Sequence, residues 1–230
     1  MTTGAPSDPR TFASAHRRAH QGDDLGRILA LSDGVFGFAL TLLALSLVVP
    51  SAACPGAADA SCTGALADAL RGEWISFLNY FLTFIIIGWF WITHHRNFRY
   101  IARYDGTLQG LNLAFLSMVA IAPFVLGVLN AYPQVPWAIA LFSIEQTAAT
   151  LLLAAIWVHA DRAGLLSEAA DPAVVAYVRL RAAIVAVAFG LAIPIAFLNV
   201  PLAEVLWIAG FAAVSLARRF GAAKDPTAGP

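Results

Sequence analysis

Apolar residues run almost unbroken through six stretches of the chain, residues 27–49, 74–93, 107–131, 136–158, 177–198 and 201–217. A helix needs about 20 apolar residues to cross the roughly 30 Å hydrocarbon layer of a bilayer, and these runs suit that length. The last is short and follows the fifth across Leu198-Asn199-Val200-Pro201, which fits a tilted or partial crossing. The runs are too long, and lack the two-residue alternation, for a membrane β-barrel. The pattern predicts an all-α integral membrane protein with six transmembrane helices. Residues 1–26 form an N-terminal tail, 27–217 the membrane domain and 218–230 a C-terminal tail.

The charged positions between the runs set the topology, because cytoplasmic loops retain Lys and Arg. Arg10, Arg17, Arg18 and Arg27 lie at or before the start of helix one. Arg96, Arg99 and Arg103 follow helix two, Arg162, Arg179 and Arg181 follow helix four, and Arg218, Arg219 and Lys224 follow helix six. Only Arg71 falls on the opposite side. The alternation predicts both termini in the cytoplasm and an even number of crossings.

Composition agrees with this class. Apolar residues make up 60% and charged residues 12%, against about 45–50% and 25% in soluble domains, and the mean hydropathy is +0.73. Fourteen basic residues balance fourteen acidic ones, so no basic excess exists to bind nucleic acid. Thirteen Arg against one Lys, with abundant Ala, suggests a GC-rich bacterial genome and hence a bacterial plasma membrane. The apolar run before Ser51-Ala52-Ala53-Cys54 loosely mimics a signal peptide. It is too long for a signal core and carries Asp33, so helix one reads as retained. Cys54 and Cys62 share the first external loop, 50–73, where they are close enough to bridge or stand as two unpaired thiols.

Candidate chemistry is sparse. The chain has no phosphate loop, dinucleotide fingerprint, His-Glu-x-x-His or Gly-x-Ser-x-Gly, and reads as no enzyme. His94 and His95 are adjacent, so on a helix they point about 100° apart and do not readily share a metal ion. No cofactor or metal is expected. Ionisable residues within membrane helices usually face a bundle interior or water. Asp33, two turns into helix one, stands at the depth of Trp91, His94, His95 and Arg96 at the end of the antiparallel helix two. With Arg27 and Ser32 these groups form a polar cluster, either a stabilising staple or part of a gate. Glu145, Gln146 and Glu204 read as interhelical hydrogen-bonding groups.

Two segments carry a resemblance. Arg27-Ile-Leu-Ala-Leu31-Ser32-Asp33-Gly34 resembles the Arg-x-x-x-Phe-Ser-Asp signature of the transmembrane protein 175 family, the endolysosomal potassium channel and its bacterial homologues, with Leu31 where Phe is usual. Trp91-Ile-Thr-His94-His95-Arg96 is similar to the Trp…His-His-Arg segment that closes helix two in that family. The resemblance implies a homotetramer in the lipid bilayer, with helix one lining a central pore for potassium ions. Aligned through Ser-Asp-Gly, it places bulky apolar rings at Phe38, Leu42 and Leu45 and an ion-contacting hydroxyl at Thr41.

The residues themselves are compatible with that placement. Phe38, Leu42 and Leu45 follow i, i+4, i+7 and share a stripe within about 40°, flanked by Thr41, while Asp33 points roughly 140° away from Phe38. Periodicity alone names no pore. Phe38 departs from the Ile or Leu usual in the family and shifts the expected constriction either onto itself or onto Leu42 or Leu45. The chain has no carbonyl filter loop and no acidic ring on this stripe, so the expected channel has a hydrophobic constriction and modest potassium-over-sodium selectivity. A secondary transporter or a proton-permeable leak channel is the alternative.

Overall fold

The computed structural model describes residues 9–50 and 60–219, and their side chains over 25–50 and 62–216. The described chain is helical: α1 (Pro9–Leu43), a 3-10 turn (Ala44–Ser46), α2 (Ala60–Gly72), α3 (Trp74–Phe98), α4 (Gly106–Ala131), α5 (Pro136–Arg162), α6 (Pro172–Ala196) and α7 (Val200–Arg219). Five segments are long and apolar enough to cross a membrane: Leu25–Ser46, α3, α4, α5 and α6. The apolar part of α7, Val200–Leu216, is shorter.

The distribution of side chains inverts that of a soluble protein. Large apolar groups such as Leu78, Phe81 and Ile85 on α3, Phe124 on α4, Leu191 on α6 and Ile208 on α7 are exposed. A coat of that extent is untenable in water and is what lipid requires. Polar groups turn inward instead, among them Ser32, Asn79, Thr83, His94, Asn112 and Ser143. Between membrane helices such groups hold neighbours together by hydrogen bonds.

α4 lies at the centre of the order, packing against α1, α3 and α5, while α5 packs on α6 and α6 on α7. Phe36 of α1, Phe90 of α3 and Phe115 of α4 fill one part of the core, with Phe115 5.9 Å from each of the other two rings. Phe142, Phe189 and Trp207 fill the space between α5, α6 and α7, where Trp207 Nε1 donates to Ser143 Oγ at 3.0 Å. The approach of α6 and α7 requires glycine at one point. A Cβ on Gly210 would meet Ala188 Cβ at 2.6 Å, and neither atom belongs to a flexible chain end. Gly210→Val should therefore lower stability by about 1–3 kcal/mol. A thermal melt of the purified variant in detergent checks this, and an unchanged midpoint would mean that the two helices separate at little cost.

Several boundaries differ from the sequence reading. The backbone is helical from Pro9, so α1 runs through the segment read as a tail. At its other end α1 stops at Leu43 rather than Val49. Ser46 Oγ turns back to donate to Leu43 O at 2.7 Å, and Leu47 N donates to Ala44 O, overwinding the last turn. Val48, Val49 and Pro50 follow, and β-branched residues before proline favour extended backbone. The segment 60–72, read as loop, is the helix α2. Its alanines are the strongest helix formers and outweigh the Gly, Ser and Thr among them. Cys62, on α2, carries no free thiol; Cys54 lies outside the described residues.

The ends of α5 and α4 meet at the arginine-rich end of the bundle. Gly164, at φ 64°, closes α5 in the left-handed conformation, with Leu165 N donating to Ala160 O and Gly164 N to Asp161 O. That reciprocal pair is the Schellman stop. The chain then pairs Ile101 with Leu166 in an antiparallel bridge. Asp105 caps α4 by accepting from Leu108 N at 2.8 Å and also meets His159 Nε2 of α5 at 2.9 Å. Both contacts, the backbone N–H first, hold the Asp105 carboxyl below its ordinary value. A lowered carboxyl stabilises the fold above its unfolded-state value, and that contribution fades as pH drops through the folded one.

Candidate functional site

α1 presents two opposed faces. Ile28, Ser32, Phe36, Ala39 and Leu43 are buried against α3 and α4. Leu31, Phe38, Leu42 and Leu45 are exposed at 51%, 73%, 42% and 77%. An apolar, uncharged ridge thus stands clear of the single subunit from Leu31 to Leu45. The 3-10 turn does not break it. Two steps of about 120° after Leu43 bring Leu45 to within about 20° of Phe38's direction. Thr41 flanks the ridge, and its hydroxyl donates to Gly37 O and Phe38 O of its own helix at 3.1 and 2.8 Å. With its proton turned to the backbone, the oxygen directs its lone pairs outward.

The polar residues of the two sequence motifs fall into separate groups. Asp33 is exposed and accepts from Trp91 Nε1 at 2.8 Å, linking α1 to α3 across the surface. The His95 ring lies 5.6 Å from that of Trp91. Arg27 is exposed at the arginine-rich end, and Arg96 lines a cavity toward α6 and α7. His94 and Ser32 lie inside. Here His94 Nε2 meets Asn112 Oδ1 at 2.8 Å, Asn112 Nδ2 donates to Ser32 Oγ at 3.2 Å, and Ser32 Oγ donates to Ile28 O at 2.9 Å. The relay runs in one direction only if His94 carries its proton on Nε2, a tautomer fixed by the amide assignment. The imidazole is stacked on Phe98 at 4.2 Å and on Phe115 at 5.6 Å. With Nε2 bound to an amide and its ring enclosed by aromatics, His94 is a packed structural group rather than a ligand.

Asn112 was not foreseen, and neither was a second relay at the opposite end of α1. Asn79 Nδ2 donates to Asn130 Oδ1 at 3.2 Å, and Asn130 Nδ2 to Ser46 O at 3.4 Å. α1 is therefore tied to α3 and α4 at Ser32 and again at Ser46, with the exposed ridge between. Glu145 and Gln146 lie in the core on α5, where both carboxylate oxygens and both amide atoms lack a hydrogen-bond partner among the described residues. Those residues hold no cluster of three His, Cys, Asp or Glu able to bind a metal.

The helices that build this arrangement coincide with a recognised sequence pattern. Residues 27–123 match the family described as the endosomal/lysosomal potassium channel TMEM175. A potassium channel of Streptomyces collinus is 35% identical over 185 residues, covering 78% of this chain and 86% of its own. The chain belongs to the TMEM175 family. Among TMEM175 structures, that of a lysosomal potassium-selective channel homolog from Chamaesiphon minutus is similar at a TM-score of 0.69 and 27% identity, covering 85% of this chain and 98% of that one. The mouse endosomal/lysosomal proton channel TMEM175 is 28% identical over 138 residues, which are 60% of this chain but 26% of the mouse protein. As a TMEM175 member the chain is a multi-pass membrane protein of a channel family, not an enzyme.

Proposed function

We propose that this chain is a potassium-permeable cation channel in which four copies surround a central pore lined by α1. The observation that carries the proposal is the exposed, uncharged ridge of Phe38, Leu42 and Leu45 on a helix whose other face is fully packed. In this reading α7 completes a sixth crossing and both termini face the cytoplasm of a bacterial plasma membrane. Family membership supports the fourfold arrangement. In this reading Asp33 with Trp91, and Ser32 with His94 through Asn112, hold α1 against its neighbours.

Brought together fourfold, the ridge makes rings of apolar side chains. A narrow apolar ring expels water, and an ion crossing it loses hydration with nothing to replace it. The ring therefore acts as the barrier, and small changes in its width change flux steeply. The outward lone pairs of Thr41 supply four oxygens beside the ring. They compensate part of the lost hydration, less of it for sodium, whose shell is held more tightly, and give a modest preference for potassium.

Reconstituted liposomes under potassium, sodium and proton gradients test the reading directly. Conductive potassium flux with a reversal potential displaced from that of sodium is expected. Thr41→Val should bring the two cations closer in permeability, by about a factor of two to five for the loss of weak oxygen contacts. Unchanged reversal potentials in the variant would remove Thr41 from the ion path. The names of the vertebrate relatives give a specific reason to include protons, and flux under a proton gradient alone would mark the path as wide enough to hold a water file.

A further inference from the structure

The helix that precedes α3 has two unlike sides. Leu66 and Leu70 of α2, four positions apart, share one face within about 40°, and both are exposed. Asp68 and Arg71 point about 180° and 120° away from that pair, and Arg71 Nη1 donates to Asp68 Oδ1 at 2.7 Å. Glu73 ends α2. At φ −88° and ψ 7° it leaves the helical region, and its N–H donates to Leu70 O, three residues back. That break frees α2 from the direction of α3. The apolar face nevertheless continues across it. Trp74, Leu78, Phe81 and Ile85 of α3 follow at spacings of three or four, are exposed, and belong to the lipid-facing coat.

Aromatic residues fix the level at which this happens. Trp74 at the start of α3, Tyr132 just beyond the end of α4 and Trp137 near the start of α5 are all exposed. They stand at the end of the bundle opposite Arg99, Arg103 and Arg162. Exposed Trp and Tyr at the ends of spans settle at the headgroup level of a bilayer. A straight continuation of α3, rising about 1.5 Å per residue, would carry Leu66 about 12 Å beyond Trp74. The headgroup layer is only about 5–8 Å deep, so both leucines would approach or enter water. Turned into the plane of that layer at Glu73, the same helix keeps Leu66 and Leu70 against acyl chains and leaves Asp68 and Arg71 in water. A charged face opposite an apolar one is the pattern of a helix that lies in the interface. We propose that α2 lies in the headgroup layer and docks Leu66 and Leu70 onto the phospholipid acyl chains beside Trp74.

Spin labels on the full chain, reconstituted in liposomes of phosphatidylcholine and phosphatidylglycerol, test this. Leu66→Cys, Asp68→Cys and Leu70→Cys each take one label, with the unsubstituted protein as background, since Cys62 carries no free thiol. Asp68→Cys keeps the fold, because an exposed ion pair contributes little to stability. Collisions with oxygen, which dissolves in lipid, are compared with collisions with a water-soluble nickel chelate. The oxygen-to-nickel ratio at 66 and 70 should exceed that at 68 several-fold and place those two labels about 5–10 Å into the boundary. Equal ratios at the three positions would mean that no face of α2 is turned to lipid and would overturn the proposal. Labels at 66 and 70 shielded from both reagents would overturn it too, and would assign the face to a neighbouring copy of the chain.

Discussion

Liposomes carrying Leu42→Ala should pass potassium at least about tenfold faster than those carrying the wild type. A tenfold change in rate needs only about 1.4 kcal/mol, and fourfold assembly multiplies a single substitution by four. Removing the outer part of each Leu42 side chain widens the ring, lets water in and lowers the dehydration cost that forms the barrier. Leu42 is the least exposed member of the ridge, at 42%, so its side chain rests partly on its own subunit and cannot swing aside as freely as Phe38. Leu191→Ala, on the exposed lipid side of α6, is the control and should leave flux unchanged. Equal flux in Leu42→Ala and wild type would remove Leu42 from the gate.

The second large effect concerns stability. Asn112→Leu keeps the approximate shape of the side chain but removes both partners that the amide serves. The His94 Nε2–H is then buried without an acceptor, at about 1–3 kcal/mol, because its ring is enclosed by Phe36, Phe98 and Phe115. Ser32 loses less, since its hydroxyl still donates to Ile28 O. The midpoint of thermal unfolding in detergent should fall clearly for the single variant. Adding His94→Phe should recover part of the loss, because two apolar groups face each other more cheaply than one apolar and one unpaired polar group. Additive losses in the double variant would mean that the His94–Asn112 contact is not the source of the effect.

The apolar spans and the exposed face of α1 were legible because they depend on periodicity, which the bilayer enforces over twenty residues at a time. Phe38 and Leu42 could be placed on one side of a helix from spacing alone. The partners of the other side could not. Asn79, Asn112 and Asn130 are single polar residues in apolar runs, and nothing in their spacing tells which neighbouring helix each one meets. Asn112 and His94 are 18 positions apart, and Asn130 and Ser46 are 84 apart, so each contact follows only from knowing which helices adjoin. Which members of the polar cluster touch was hidden for a related reason, although Asp33 does meet Trp91. Shared depth in the membrane does not imply a shared face, and His94 turns inward while Asp33 stays at the surface beside Trp91. The end of α1 was misplaced because Val48 and Val49 suit a bilayer by hydropathy while their backbone preference before Pro50 ends the helix.

The paired amide relays on α1 also bear on how fast a pore built from it can change width. A rod fastened near both ends resists swinging, and moving it requires α3 and α4 to move with it, a collective displacement on the microsecond-to-millisecond scale. Between the fastenings, the exposed phenyl ring of Phe38 is held by neither relay and can change rotamer within picoseconds to nanoseconds. In the proposed pore, such rapid flicker is averaged by any electrical recording. It lowers the size of the unitary current, while discrete closures report on the slower travel of the three helices together.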